Sequence, residues 1–186
     1  MVIIGKECPP FSVKMIWNDK ISTLTHEDLK GHYSLFFFYA VDFSLVCPTE
    51  IFALQDAIEE FNKREIEIIA ISIDSVYTHA AWLRAPREKG GVAGVSFKMV
   101  SDIRHIISKN FGVYDEKQAL ALRGSFLIDP QLKIQYGAIN NMAFGRSVPE
   151  LLRAIDAIQF VATHGLSCPA NWRAGEEGVK DDKSPL

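Results

Sequence analysis

The spacing of apolar side chains changes several times along the chain, and each change marks an element. Residues 11–17 alternate apolar and polar positions, which predicts a half-buried strand, and Asn18-Asp19 turns it back into a second strand over 20–24. Thr25-His26-Glu27-Asp28-Leu29-Lys30-Gly31 reads as one capped helical turn closed by glycine. The apolar run 33–39 predicts a buried strand. From about 48 to 63, Ile51, Leu54, Ile58 and Phe61 form one helical stripe. Residues 65–73 are β-branched and apolar, a second buried strand, and Asp74-Ser75 leads from it into a helix that contains His79 and Trp82 and stops at Pro86. Lys89-Gly90-Gly91 is a loop, 95–100 is a short strand candidate, and Asp102 is placed to cap a helix over about 103–111, ended by Gly112. Residues 119–123, 125–128 and 132–140 form a hairpin-like region around the turn Asp129-Pro130-Gln131. Ser147-Val148-Pro149-Glu150 has the form of a capping box and predicts a last helix over about 148–164. Beyond Cys168 the chain is rich in charge, glycine and proline, and is expected as a surface arm, mobile unless docked.

Strand–helix alternation followed by a late antiparallel pair predicts an α/β sandwich with a mixed sheet. Composition narrows the function. At 186 residues the chain suits one domain with a substantial core, and 48% hydrophobic with 23% charged residues is ordinary for a globular protein. A net charge of −3 and the lack of a basic block argue against a nucleic-acid binder. No apolar run approaches the roughly 18 residues of a membrane span, and the first ten residues lack the basic and long apolar regions of a secretory signal. The three cysteines, at 8, 47 and 168, are odd in number and far apart, which suits a reducing cytoplasm better than a disulfide framework. The five histidines (26, 32, 79, 105 and 164) are scattered, without zinc-site spacing, and no Gly-x-Gly-x-x-Gly or Walker-type loop is present. The expectation is therefore chemistry without a metal or nucleotide cofactor.

Cys47 carries the best candidate chemistry. It lies where the strand over 33–39 hands over to a helix, with Pro48 suited to the first helical turn. Free backbone N–H groups and the positive end of the helix dipole favour an anion there, so a thiolate is stabilised. Ser44, three residues earlier, is placed to bring a hydroxyl near the sulfur. Arg123, in Ala121-Leu122-Arg123-Gly124 at the end of an apolar strand, is a second candidate, because a guanidinium near a thiol favours the thiolate and donates to an anionic centre. Spacing alone does not bring Arg123 to Cys47. Cys8 reads as an inert, core cysteine.

Phe37-Phe38-Tyr39-Ala40-Val41-Asp42-Phe43-Ser44-Leu45-Val46-Cys47-Pro48-Thr49-Glu50 resembles the active-site motif of typical two-cysteine peroxiredoxins, in the alkyl hydroperoxide reductase branch. Ser72-Ile73-Asp74-Ser75 with His79 and Trp82, Ala121-Leu122-Arg123-Gly124, Gly145-Arg146-Ser147 and Cys168-Pro169-Ala170-Asn171-Trp172 match further family motifs in order. The resemblance implies a thioredoxin-like sandwich, a central mixed β-sheet flanked by helices. Residues 1–165 would be the peroxidase domain and 166–186 an arm carrying the resolving cysteine. It implies that Cys47 attacks hydrogen peroxide or an alkyl hydroperoxide and becomes a sulfenic acid. Ser44 and Arg123 would hold the peroxide oxygens, with Glu50 and Arg146 supporting Arg123. Cys168 of the partner subunit would resolve the sulfenic acid as a disulfide, which a thioredoxin or a flavoprotein reductase would reduce. A homodimer, extending to a ring of five dimers, belongs to the same expectation.

The chain departs from the family in places. Ala40 stands where the family has proline, which would leave the loop less stiff and the site more open. Ser44 replaces the commoner threonine and keeps the hydroxyl. Gly90-Gly91-Val92-Ala93 stands for Gly-Gly-Leu-Gly, and no Tyr-Phe pair follows Cys168. Both last differences predict resistance to overoxidation. Two other functions stay open at this point: a chaperone-like oligomer with impaired peroxide turnover, favoured by Ala40, and a general disulfide oxidoreductase, disfavoured by the lack of a Cys-x-x-Cys pair.

Overall fold

A computed structural model describes residues 3–180. The expected N-terminal hairpin forms from β1 (Ser12–Trp17) and β2 (Lys20–Thr25), with Asn18 and Asp19 both left-handed at φ 49° and 59°. Two successive residues of that hand give a turn whose twist matches antiparallel strands. A 3-10 turn, His26–Leu29, follows. Thr25 donates to the Asp28 carboxylate from both its N–H and its hydroxyl at 2.8 Å.

The remaining strands are β3 (Tyr33–Phe38), β4 (Ile66–Ser72), β5 (Lys98–Ser101), β6 (Tyr114–Asp115), β7 (Leu120–Ala121), β8 (Arg123–Ile128) and β9 (Ile134–Asn140). Seven of the nine described strands form one mixed sheet in the order β2-β1-β5-β4-β3-β8-β9, and β6 and β7 pair separately. The two parallel pairings, β3 with β4 and β4 with β5, require crossovers, and the expected helices supply them. Strands β3 and β8, in the interior of the sheet, are buried almost throughout; β3 accordingly reads as a nearly continuous apolar run, while β8 buries Arg123 and Ser125 beside Phe126, Leu127 and Ile128. Phe36, Phe38, Phe111 and Phe126 pack edge-on or tilted, with centroids 5.0–6.3 Å apart.

Several elements differ from expectation. The helix expected over 48–63 is two, α1 (Cys47–Asp56) and α2 (Ile58–Lys63), because Ala57 at φ −98°, ψ 11° interrupts the hydrogen-bond ladder. No glycine or proline marks that break. After α3 (Val76–Arg84), α4 (Ile106–Asn110) is shorter than expected: Asp102 does cap it, accepting from the N–H groups of Ile107 and Ser108 at 3.0 and 2.7 Å, but His105 at φ 56° delays its start. The last helix, α5 (Val148–His164), has the expected bounds without the expected cap, since the Ser147 side chain makes no capping bond. Contacts divide the chain into two compact units after Arg146, so α5 groups with the tail.

Of the two alternatives its composition leaves, mobile or docked, the described part of the tail takes the second. Ser167 and Val179 form an antiparallel bridge with N–H···O distances of 2.9 and 2.8 Å, closing a loop around Trp172, which is 2% exposed. The Trp172 ring lies 4.7 Å from that of Phe160, and its Nε1 donates to the Glu176 carbonyl at 3.0 Å. One large aromatic ring thus gives a polar segment a small core of its own. Residues 181–186 of the expected arm lie outside the described residues.

Between β3 and α1 the chain is held by a buried polar group. Tyr39 donates its hydroxyl to Asp42 at 2.7 Å, and the other Asp42 oxygen lies 2.7 Å from His79 Nδ1. His79 Nε2 faces the Val100 carbonyl at 3.1 Å, so that nitrogen must carry its hydrogen. Both the Asp42 and His79 side chains are fully buried. Burial pushes the Asp42 carboxyl above its ordinary range, and the bond to His79 offsets only part of that. Asp42 also donates its backbone N–H to the Asp74 carboxylate at 2.9 Å, tying the loop after β3 to the loop after β4. Asp42→Ala leaves His79 and Tyr39 without a buried acceptor, and should cost about 3 kcal/mol of stability, read as a lower urea midpoint at unchanged m-value.

Candidate active site

Cys47 opens α1 and its sulfur is sealed, with 0% of the residue exposed. The start of the helix is ordered by Val46, whose carbonyl accepts from the Thr49 N–H at 3.0 Å and from the Thr49 hydroxyl at 2.6 Å. Pro48, in the first turn, needs no hydrogen-bond partner for its nitrogen. The strand β8, antiparallel to β3, delivers Arg123 from the far side of the chain. Its Nη1 lies 3.6 Å from Cys47 Sγ as a donor. A guanidinium donor beside the sulfur and a helix N-terminus beneath it both favour negative charge at that atom.

Arg123 is itself fixed from two directions. Its Nη1 donates to Glu50 Oε2 at 2.5 Å, its Nε donates to the Met142 carbonyl at 3.1 Å, and it is 3% exposed. Gly124 beside it has no room for a side chain: a Cβ there would stand 2.7 Å from Val113 Cγ1. Glu50, one turn along α1 from Cys47, is shared with Arg146, which donates to Glu50 Oε1 from its backbone N–H and from Nε, both at 2.9 Å, and to Oε2 from Nη2 at 3.1 Å. Arg146 also donates to the Gly124 carbonyl at 2.7 Å, and its guanidinium stacks 3.2 Å from the Phe37 ring centroid. Burial pushes the Glu50 carboxyl up, but the Arg146 hydrogen bonds and the charges of Arg146 and Arg123 outweigh it and hold Glu50 below its ordinary 4.5.

Four of the six site residues expected from the sequence, Cys47, Glu50, Arg123 and Arg146, therefore meet. Ser44 lies in the loop before α1, where its hydroxyl donates to the Val41 carbonyl at 3.1 Å. Cys168 lies in the second compact unit, on the Trp172 loop, with its thiol 3.7 Å from the Ala157 carbonyl. Partial burial pushes the Cys168 thiol up, partly offset by Arg153. Cys8 is buried and its thiol is pushed up to about 12, chiefly by burial, so it is protonated and unreactive. The Met142 carbonyl that orients Arg123 escapes a reading of the sequence, because a backbone acceptor leaves no residue signature. Among the described residues, no group of three or more His, Cys, Asp or Glu side chains is placed to hold a metal ion. No described helix is long and apolar enough to cross a membrane.

Residues 4–137 match the AhpC/TSA family, and residues 157–184, which include Cys168, match the C-terminal domain of 1-Cys peroxiredoxin. A putative peroxiredoxin of Pyropia yezoensis is 43% identical over 96% of this chain and 90% of its own length. The thioredoxin peroxidase of Echinococcus granulosus is 41% identical over 99% of this chain and 95% of its own. Among solved structures, the reduced 2-Cys peroxiredoxin of Plasmodium vivax matches with a TM-score of 0.92 at 38% identity, covering 96% of this chain and 93% of that one.

Because Glu50 is held below 4.5, its ionised form stabilises the folded chain above that pH, and the contribution is lost as pH falls through the depressed folded value. Glu50→Gln should lower stability at neutral pH by about 3 kcal/mol. The gap between variant and parent should narrow as pH is taken below 4.5. Urea titrations at both pH values check this; a gap independent of pH would contradict it.

Proposed function

The chain belongs to the AhpC/TSA family and is a peroxiredoxin, a peroxide-reducing oxidoreductase with a thioredoxin-like fold, and on that footing we propose that Cys47 is its peroxidatic cysteine. The thiolate attacks one oxygen of the peroxide; the S–O bond forms as the O–O bond breaks, leaving Cys47 sulfenic acid and, after protonation, an alcohol or water. The observation that carries this reading is the Arg123 guanidinium, 3.6 Å from Cys47 Sγ and fixed by Glu50. It is positioned to hold negative charge as that charge moves from sulfur to the departing oxygen, and no reorganisation is needed when it does.

Glu50 and Arg146 act through Arg123. Ser44 complements it. Its hydrogen is committed to the Val41 carbonyl, so its oxygen, with both lone pairs free, is an acceptor for a peroxide O–H. We take Cys168 of the partner subunit as the resolving thiol: it displaces water from the Cys47 sulfenic acid to give a disulfide. This division assigns peroxidase chemistry to residues 1–165 and resolution to the arm, 166–186. A thioredoxin is the proposed reductant, supported by the relative named thioredoxin peroxidase, with a flavoprotein disulfide reductase as the other candidate. Assembly is proposed as a homodimer able to build a ring of five. The cytoplasm is the proposed compartment, on the strength of its few, scattered cysteines.

One equivalent of hydrogen peroxide should convert the reduced protein to a covalent dimer on a non-reducing gel, and both Cys47→Ser and Cys168→Ser should abolish it. Oxidised Cys47 without a dimer would replace this scheme with a one-cysteine mechanism. Arg123→Leu should slow Cys47 oxidation by about a hundredfold or more, measured by stopped flow, the loss expected for one aimed electrostatic donor.

A further inference from the structure

Among residues 39–50, Tyr39, Ala40, Asp42, Cys47 and Glu50 are buried. Tyr39 donates its backbone N–H to the Ile71 carbonyl at 3.0 Å, Asp42 to the Asp74 carboxylate at 2.9 Å and Glu50 to the Val46 carbonyl at 3.4 Å. That leaves Ala40 and Cys47, and among the described residues nothing accepts from the N–H of either. For Cys47 this is ordinary, because the first N–H groups of a helix have no partner within it. For Ala40, which is 4% exposed and outside any helix, it is not. A buried N–H without an acceptor has lost its water for nothing, and such a group calls for an explanation.

The course of the strand gives its direction. Successive N–H groups of an extended chain face opposite neighbours. Tyr39 still bonds to the end of β4, so the Ala40 N–H turns the other way, towards β8. There the ladder has ended: the last paired residues are Phe37 and Ser125. Gly124 gives its N–H to the Leu122 carbonyl at 2.8 Å and its carbonyl to Arg146 at 2.7 Å, so β8 keeps no strand bond for Ala40. Beside Gly124 stands Arg123, whose Nη1 faces Cys47 Sγ at 3.6 Å. The orphan N–H thus opens to the side of β3 on which Arg123 meets the sulfur, and Ser44 lies on the same loop.

We propose that the Ala40 backbone N–H is a substrate-binding donor, which gives the peroxide a hydrogen bond beside its contacts with Arg123 and Ser44. The inference rests on the reading of Cys47 as peroxidatic. The amide keeps its proton throughout. As the S–O bond forms and the O–O bond breaks, negative charge passes to the departing oxygen, and a fixed dipole aimed into the site stabilises it there. Proline, which the resembled family carries at this position, has no N–H to offer. The donor therefore belongs to this chain, and Ala40 supplies a contact where its sequence predicts only a looser loop.

The test replaces the amide between Tyr39 and Ala40 with an ester, by incorporating lactic acid at position 40 of the full chain. This exchanges the N–H for an oxygen and keeps the methyl side chain. Two reactions of the reduced protein are followed by stopped flow: Cys47 oxidation by hydrogen peroxide, and Cys47 alkylation by iodoacetamide, which has no O–O bond to polarise. The ester should slow oxidation by about tenfold or more, the loss of one aimed donor, and leave alkylation within about twofold. Oxidation at the parent rate overturns the donor. An equal slowing of both reactions also overturns it, because the change then lies in the thiol. A second measurement leaves position 40 untouched. Crystals of Cys47→Ser soaked in hydrogen peroxide should hold a peroxide oxygen within about 3.2 Å of the Ala40 nitrogen, and its absence there overturns the proposal. If Cys47 of the parent protein is not oxidised by peroxide, the active-site reading has failed, while the soaked crystal still decides the donor.

Discussion

Everything at the site depends on one buried carboxylate held by two guanidinium groups. Glu50 comes from α1, Arg123 from β8 and Arg146 from the segment after β9, so three stretches far apart in sequence converge on it. The arrangement is costly in isolation: three charged groups leave water, and a buried pair often does no better than apolar residues of the same volume. What the cost secures is direction. Arg123 has one geometry, set by Glu50 on one side and the Met142 carbonyl on another, and in that geometry a donor faces the sulfur. An arginine free to choose among rotamers would spend most of its time in water.

The sheet makes this convergence possible. Parallel strands β3 and β4 direct their C-terminal ends, and the loops after them, to the same edge, while antiparallel β8 begins at that edge, where it presents Arg123. The Tyr39–Asp42–His79 group then fixes the loop that climbs from β3 to α1. That group stands behind the site as Glu50 stands beside it. One fixes where Cys47 begins its helix, and the other fixes what faces its sulfur.

Local chemistry is legible in the sequence, and convergence is not. The bounds of β1 to β4, the hairpin at Asn18-Asp19 and the limits of α5 follow from period and turn residues, which act over a few positions; β6 and the start of β8 at Arg123 do not. The site assembles only through resemblance: nothing within ten residues of Arg123 says that it reaches Cys47, 76 positions away. The break at Ala57 leaves no trace because alanine is the best helix former and carries no breaking signal. The tail stays undecided because composition averages over a segment. Its polar residues leave it mobile unless docked, and the sequence does not show that Trp172, packed on Phe160, closes the loop around itself.

The three cysteines show how little the side chain decides and how much its surroundings do. Cys8 is surrounded by apolar groups and its thiol is pushed up to about 12, which silences it. Cys168 is partly buried, its thiol pushed up by that burial, with Arg153 working against the shift. Cys47 is the most deeply enclosed in its helix, yet it alone faces a fixed cationic donor. Burial by itself would make it as inert as Cys8. Burial beside Arg123 instead removes the water that would otherwise screen the guanidinium, so the same enclosure that silences one cysteine strengthens the field on the other. The enclosure also dictates the dynamics. On the proposed reading, a small peroxide needs only a slight opening to reach a sulfur sealed this well, whereas another thiol meets it only when its helix turn comes apart.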